Sequence, residues 1–146
     1  MSSPVVPGPL PPPYGPPIAL ALARRVADAA EAEATRNGWA MVIAIVDSTG
    51  HLPLLHRMDQ AQLGSVAVAQ GKAETAVLFR RASRVFEDLV GKGGNHLRLL
   101  AMPGMTPLEG GIPIMLDGAV IGGIGVSGMQ SGQDQQVAEA GITALS

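Results

Sequence analysis

Three histidines, one isolated lysine and a glutamate set before two glycines are the side chains of this 146-residue sequence best suited to chemistry. His51 follows the turn Asp47-Ser48-Thr49-Gly50 and heads a candidate strand, where an imidazole can ligate iron or act as a general base. His56 stands five residues further on. In one continuous strand the side chains alternate, so His51 and His56 point to opposite faces and do not ligate one metal together. His96 lies in a stretch rich in Gly, Pro and Met and could join either face. Each imidazole also has an ordinary reading as a surface or hydrogen-bonded structural group.

Lys72 is the one charged residue between Ser65 and Ala73, among small neighbours. Set toward a pocket, it could anchor a carboxylate or act as a base or Schiff-base nucleophile. Paired with Glu109 or Asp47, it would be structural. Glu109 begins the turn Glu109-Gly110-Gly111, whose backbone N–H groups could bind an anion or be satisfied by the carboxylate itself. Arg57 and Asp59 read as a solvated ion pair or as a substrate clamp. Met102 and Met105 give adaptable apolar surface, suited to filling gaps or to a flat ligand.

Composition narrows what these residues can do. With no cysteine, disulfides, thiolate catalysis, zinc ribbons and iron–sulfur clusters are excluded, and a metal must use His, carboxylate, Met or carbonyl ligands. A net charge of -2 with scattered Lys and Arg gives no footprint for nucleic acid. No apolar run reaches the length of a membrane span, and the N-terminus lacks the pattern of a secretory signal, so the expected setting is cytoplasmic. Charged residues are 15% and apolar residues 47% of the chain, which predicts exposed apolar surface and a homo-oligomer that covers it.

The elements that must position these groups follow from periodicity. Residues 1–17 hold eight of the twelve prolines and predict an extended arm, either a free tail or a strap over a neighbouring subunit. A domain of residues 18–146 follows. Its first helix starts at Pro17, carries Ile18, Leu22 and Val26 on one face, and ends at Asn37-Gly38. Ala40 to Val46 reads as a central strand and His51 to Met58 as an edge strand near Pro53. Helical spacing covers Leu63 to Val90 in two pieces, and Gly91 to Gly111 reads as a long functional loop. Asp117-Gly118 joins two strands, Ile112–Leu116 and Ala119–Ser127, through a two-residue primed turn. Ser131 and Asp134 are candidate caps of a last helix. The order α-β-β-α-α-β-β-α predicts an α+β fold with one mainly antiparallel sheet.

Gly123-Ile124-Gly125-Val126-Ser127-Gly128 has dinucleotide-binding spacing, but only 18 residues follow it, too few for the second parallel strand and acidic residue of a Rossmann unit. Close backbone packing is the better account of these glycines.

Four pieces together resemble the GlcG/HbpS family, also found as the C-terminal domain of PduO-type corrinoid adenosyltransferases. They are Val46-Asp47-Ser48-Thr49-Gly50-His51-Leu52 running on to Arg57-Met58-Asp59; Lys72-Ala73-Glu74-Thr75-Ala76; Leu108-Glu109-Gly110-Gly111-Ile112-Pro113; and Asp117-Gly118 through Gly128 with Asp134-Gln135-Gln136-Val137-Ala138. The resemblance implies a sheet of about five antiparallel strands, homo-oligomers up to octamers and, in several members, haem; other members are encoded beside catabolic enzymes. No iron ligand carries over to a residue here.

Two functional expectations result. The first is a small oligomeric protein that holds haem or a related tetrapyrrole in a pocket near His51, Lys72 and Glu109, with His51 or His56 near the iron, Lys72 or Arg57 facing propionates, and Asp59, Gly110, Gly111 and His96 in the lining. The second is a cofactor-independent isomerase, hydratase or lyase acting on a small carboxylate through Lys72, Glu109 and His51. A structural or chaperone-like oligomer is the third expectation.

Overall fold

The computed structural model describes residues 10–146. The element order is α1 (Leu20–Asn37), β1 (Val42–Asp47), β2 (Leu54–Arg57), α2 (Ser65–Phe79), α3 (Arg84–Gly91), a 3-10 helix (Gly94–Ala101), β3 (Gly111–Leu116), β4 (Ala119–Ser127), α4 (Ser131–Ile142) and a terminal 3-10 turn (Thr143–Leu145). The strands pair antiparallel in the order β2-β1-β4-β3. The fold is α+β.

Both faces of this sheet are covered, which explains why β1 is apolar at successive positions rather than alternating. Ile43, Ile45, Ile124 and Val126 pack with Val26, Ala30 and Ala34 of α1 and with Val137 of α4. On the other face Val42, Ala44 and Val46 meet Ala69, Ala73 and Val77 of α2. Small residues on α2 bring its backbone close to the sheet. A Cβ on Gly123 would come within 2.8 Å of the Ala73 carbonyl oxygen, and one on Gly125 would run into the Ala69 carbonyl and the Ala73 amide. The dinucleotide-like glycines of β4 are therefore a seat for α2, not a phosphate cradle.

Several boundaries shift for physical reasons. Helix α1 begins at Leu20 rather than Pro17, because the Ile18 N–H donates to the Ile121 carbonyl (2.9 Å) and holds that residue on the sheet. It ends as expected, with Gly38 at φ 75° donating to the carbonyls of Ala34 and Thr35. Strand β2 begins at Leu54, past Pro53, so His51 precedes the strand instead of heading it. The long helical stretch breaks at Arg80, whose φ of 55° ends α2. A 3-10 helix occupies Gly94–Ala101 inside the stretch expected to be loop. The β3–β4 turn is the primed type, with Asp117 at φ 52° and Gly118 at φ 77°. Helix α4 starts after Gln130, whose N–H donates to Gln133 Oε1 (3.3 Å), so neither Ser131 nor Asp134 is the cap.

Residues Pro13, Tyr14 and Gly15 of the arm lie on the chain's own sheet. Val120 donates to the Pro13 carbonyl and accepts from the Gly15 N–H, both at 2.8 Å, just beyond the end of β1. This parallel bridge at Tyr14 gives the four-stranded sheet one further rung. The Tyr14 hydroxyl donates to the Val77 carbonyl (2.6 Å), and the Arg80 guanidinium lies 5.2 Å from the Tyr14 ring. Residues 1–9 of the expected arm lie outside the described residues. Among the described residues no helix is long and apolar enough to cross a membrane.

Candidate functional site

Lys72 is only 2% exposed. Helix α2 aims it over β4, where Nζ donates to the Val126 carbonyl (2.8 Å) and to Asp134 Oδ2 (3.0 Å). Asp134 is 3% exposed, and its Oδ1 accepts the Met129 N–H (3.0 Å). Burial raises the Asp134 pKa above the ordinary aspartate value, against the downward pull of the Met129 amide and of Lys72. The partner of Lys72 is thus neither Glu109 nor Asp47. Spacing could not reveal it, because Lys72 and Asp134 are 62 residues apart.

Glu109 is half-buried beside this pair, since Gly110 turns at φ 127° where a Cβ would lie 3.0 Å from Lys72 Nζ and 2.7 Å from the Val126 oxygen. Only glycine fits both the backbone angle and the space. Of the two glycine N–H groups considered for an anion, that of Gly111 is already engaged. The Gly111 N–H donates to Ser83 Oγ (2.9 Å), and the Gly110 carbonyl accepts from Val126 (3.0 Å).

His51 lies at the other end of the sheet. Its backbone carbonyl accepts from Asp47, which pairs with Gly122, whereas Lys72 reaches Val126 four residues along β4, a separation of about 13 Å. One subunit does not bring His51 to Lys72 and Glu109. Exposed His51 instead belongs to the turn network, with Nδ1 2.9 Å from Thr49 Oγ1. Asp47 Oδ1 accepts from the Thr49 N–H (2.9 Å), the Thr49 hydroxyl (2.6 Å) and the His51 N–H (3.2 Å). Burial acts upward on the Asp47 pKa, but these bonds outweigh it and hold the carboxyl below its ordinary value. His96 is exposed on the 3-10 helix.

The groups that do converge lie where β2 ends. His56 pairs across from Ile43 and so shares the sheet face covered by α1. Its side chain is 24% exposed, yet Nδ1 is buried without a hydrogen-bond partner. Glu31 Oε1 of α1 stands 3.2 Å from that nitrogen, close enough for an ion pair but not aligned as a hydrogen bond. Beside them Glu31, Arg57, Met58 and Asp59 line a depression of ≈ 360 Å³. Two further depressions share Met58 and Asp59: one of ≈ 340 Å³ runs toward Leu63, and one of ≈ 330 Å³ runs along Trp39. Arg57 and Asp59 form no ion pair with each other, so both project from the rim as separate charges. Among the described residues no three His, Asp or Glu side chains cluster to hold a bare metal ion. Sequence reasoning missed Glu31 and Trp39 here, because nothing local ties α1 to β2.

A model of the family described as haem-degrading protein HbpS-like matches residues 18–143, nearly the whole described domain. The chain belongs to the HbpS-like family. It is 39% identical over 106 residues to Protein GlcG of Escherichia coli K12, covering 73% of this chain and 78% of GlcG. Among solved structures, the PduOC:heme complex superposes with a TM-score of 0.80 at 30% identity, covering 88% of this chain and 94% of that one. A double mutant of Streptomyces reticuli HbpS superposes at 0.83 with 29% identity, covering 100% and 99%. These HbpS-like relatives fix the fold independently of the local site.

Proposed function

We propose that this HbpS-like chain binds haem or a related tetrapyrrole in the shallow depressions over Arg57, Met58 and Asp59, and that it does so as a homo-oligomer. The observation that carries the reading is His56, whose Nδ1 is buried and unpartnered while its side chain is 24% exposed, next in sequence to Arg57 of the depression. Imidazole and thioether are both known donors to haem iron, and His56 or Met58 would supply one such donor if the group bound here. Arg57 is placed to meet a carboxylate with a bidentate, charge-assisted pair, and Trp39 offers an aromatic face to a flat ligand. The donor set therefore fits the group. Haem, when bound, supplies a redox-active iron; the protein holds and orients it.

The open shape of the depressions leaves one face of such a ligand uncovered, which a second subunit would close. Exposed Leu63, Leu97, Leu100 and Leu108 provide apolar surface for assembly. The solved PduOC:heme complex supports the choice of ligand. The alternative of acid–base catalysis through Lys72, Glu109 and His51 is not favoured, because Lys72 is committed to Asp134 and Val126 and His51 sits at the far end of the sheet.

Titration of the purified protein with haemin tests the proposal. A saturable Soret shift is expected, reduced or moved in wavelength by His56→Ala and left in place by His51→Ala. A wild-type protein that gives no saturable shift overturns it.

A further inference from the structure

We infer that Glu31 is the positioning residue of a histidine–carboxylate pair, fixing His56 in the tautomer that carries its proton on Nδ1 and turns the Nε2 lone pair outward to a metal centre. The inference rests on the haem reading for the identity of that centre, but the tautomer follows from His56 and Glu31 themselves.

A neutral imidazole has one N–H and one lone pair. The carboxylate oxygen at 3.2 Å is the group that faces Nδ1, and an ionised carboxylate only accepts. With the proton on Nε2, the buried Nδ1 lone pair would face the Glu31 oxygen, whose side chain is 45% exposed, with no donor between them. With the proton on Nδ1, the contact becomes an N–H donor facing an anionic acceptor. Burial sharpens the choice, since a buried polar atom left unpaired costs stability. Nε2 makes no hydrogen bond and is absent from the buried unpartnered atoms, so it is the nitrogen in contact with solvent.

The fold builds this arrangement from two elements that sequence does not connect. β2 is an edge strand whose inward residues Leu54 and His56 lie under α1. Glu31 follows buried Ala27 and Ala30 on α1, so it reaches the rim of the sheet rather than the core. From there its carboxylate touches His56 and lines the depression. The contact is not aligned as a hydrogen bond, and a rotation of the ring or the carboxylate makes it one. In metal sites a carboxylate on the second ring nitrogen fixes the tautomer and raises the basicity of the ligand, and its removal typically costs about 10–100-fold in affinity.

Two measurements separate this inference from the reading it rests on. The first is nitrogen NMR of the histidine ring in haem-free protein, which reports which nitrogen carries the proton. Wild type is expected to hold the Nδ1–H form, Glu31→Ala to populate both forms, and Glu31→Gln, whose amide can donate as well as accept, not to enforce Nδ1–H as the carboxylate does. The second is haemin affinity, expected to fall about 10–100-fold in Glu31→Ala and to recover in part in Glu31→Gln. A wild-type His56 protonated on Nε2, or a tautomer indifferent to Glu31→Ala, overturns the pair even if haemin binds. The expected tautomer with no haemin binding overturns the haem reading and leaves the pair standing.

Discussion

Lys72 Nζ lies 3.0 Å from Asp134 Oδ2, with both side chains withdrawn from solvent, and the contact ties α2 to the start of α4 across the end of β4. The lysine also caps the Val126 carbonyl, so three elements depend on one ammonium. Such a pair need not add net stability, because desolvating both charges offsets much of their attraction. Its sensitivity to loss of one partner is a different matter.

Lys72→Met should cost about 3–5 kcal/mol, since it leaves the Asp134 carboxylate buried and uncompensated. Urea denaturation measures this. The double variant Lys72→Met with Asp134→Leu should recover much of the loss, and a double variant as unstable as the sum of the two single ones would show that the residues do not act as a pair.

Asp134 and Asp47 should give pH dependences of opposite sign. The folded-state pKa of Asp134 is raised, so its contribution is complete below the ordinary aspartate value and is lost as pH rises through the raised one. That of Asp47 is lowered, so its contribution is present above the ordinary value and is lost as pH falls through the depressed one. Stability of wild type relative to Asp134→Asn should therefore decline from acid toward neutral pH. Relative to Asp47→Asn it should rise. Unfolding free energies at a series of pH values give both slopes.

Gly125→Ala should destabilise by about 1–3 kcal/mol or more, because the methyl group forces α2 away from β4. Gly132→Ala, on an open surface of α4, should not destabilise. Thermal unfolding of the two variants compares a seat for a helix with a glycine that meets nothing. Equal melting temperatures would contradict the packing account of the β4 glycines.

Tyr14→Phe should cost about 0.5–1.5 kcal/mol by removing the hydroxyl bond to the Val77 carbonyl while keeping the ring under Arg80. A chemical denaturation curve resolves a difference of that size. No change would mean that the hydroxyl bond from Tyr14 to α2 adds nothing to stability.

The amino-acid sequence by itself determined what is local. Asp117-Gly118 needs only two residues able to take positive φ between apolar runs, and Gly38 needs only to follow a helical face, so both were legible from neighbours in the chain. The order of helices and strands and the kinship with HbpS-like proteins were legible for the same reason, being carried by runs and short motifs. Tertiary structure decided which candidate groups meet. Strand register sent His51 to one end of the sheet and Lys72 to the other, and folding over 62 residues gave Lys72 the partner Asp134. The same holds for Glu31 and His56, joined only because edge strand β2 lies under α1. Periodicity says which face of an element is buried; it does not say which other element covers it, and the chemistry of this protein depends on that second choice.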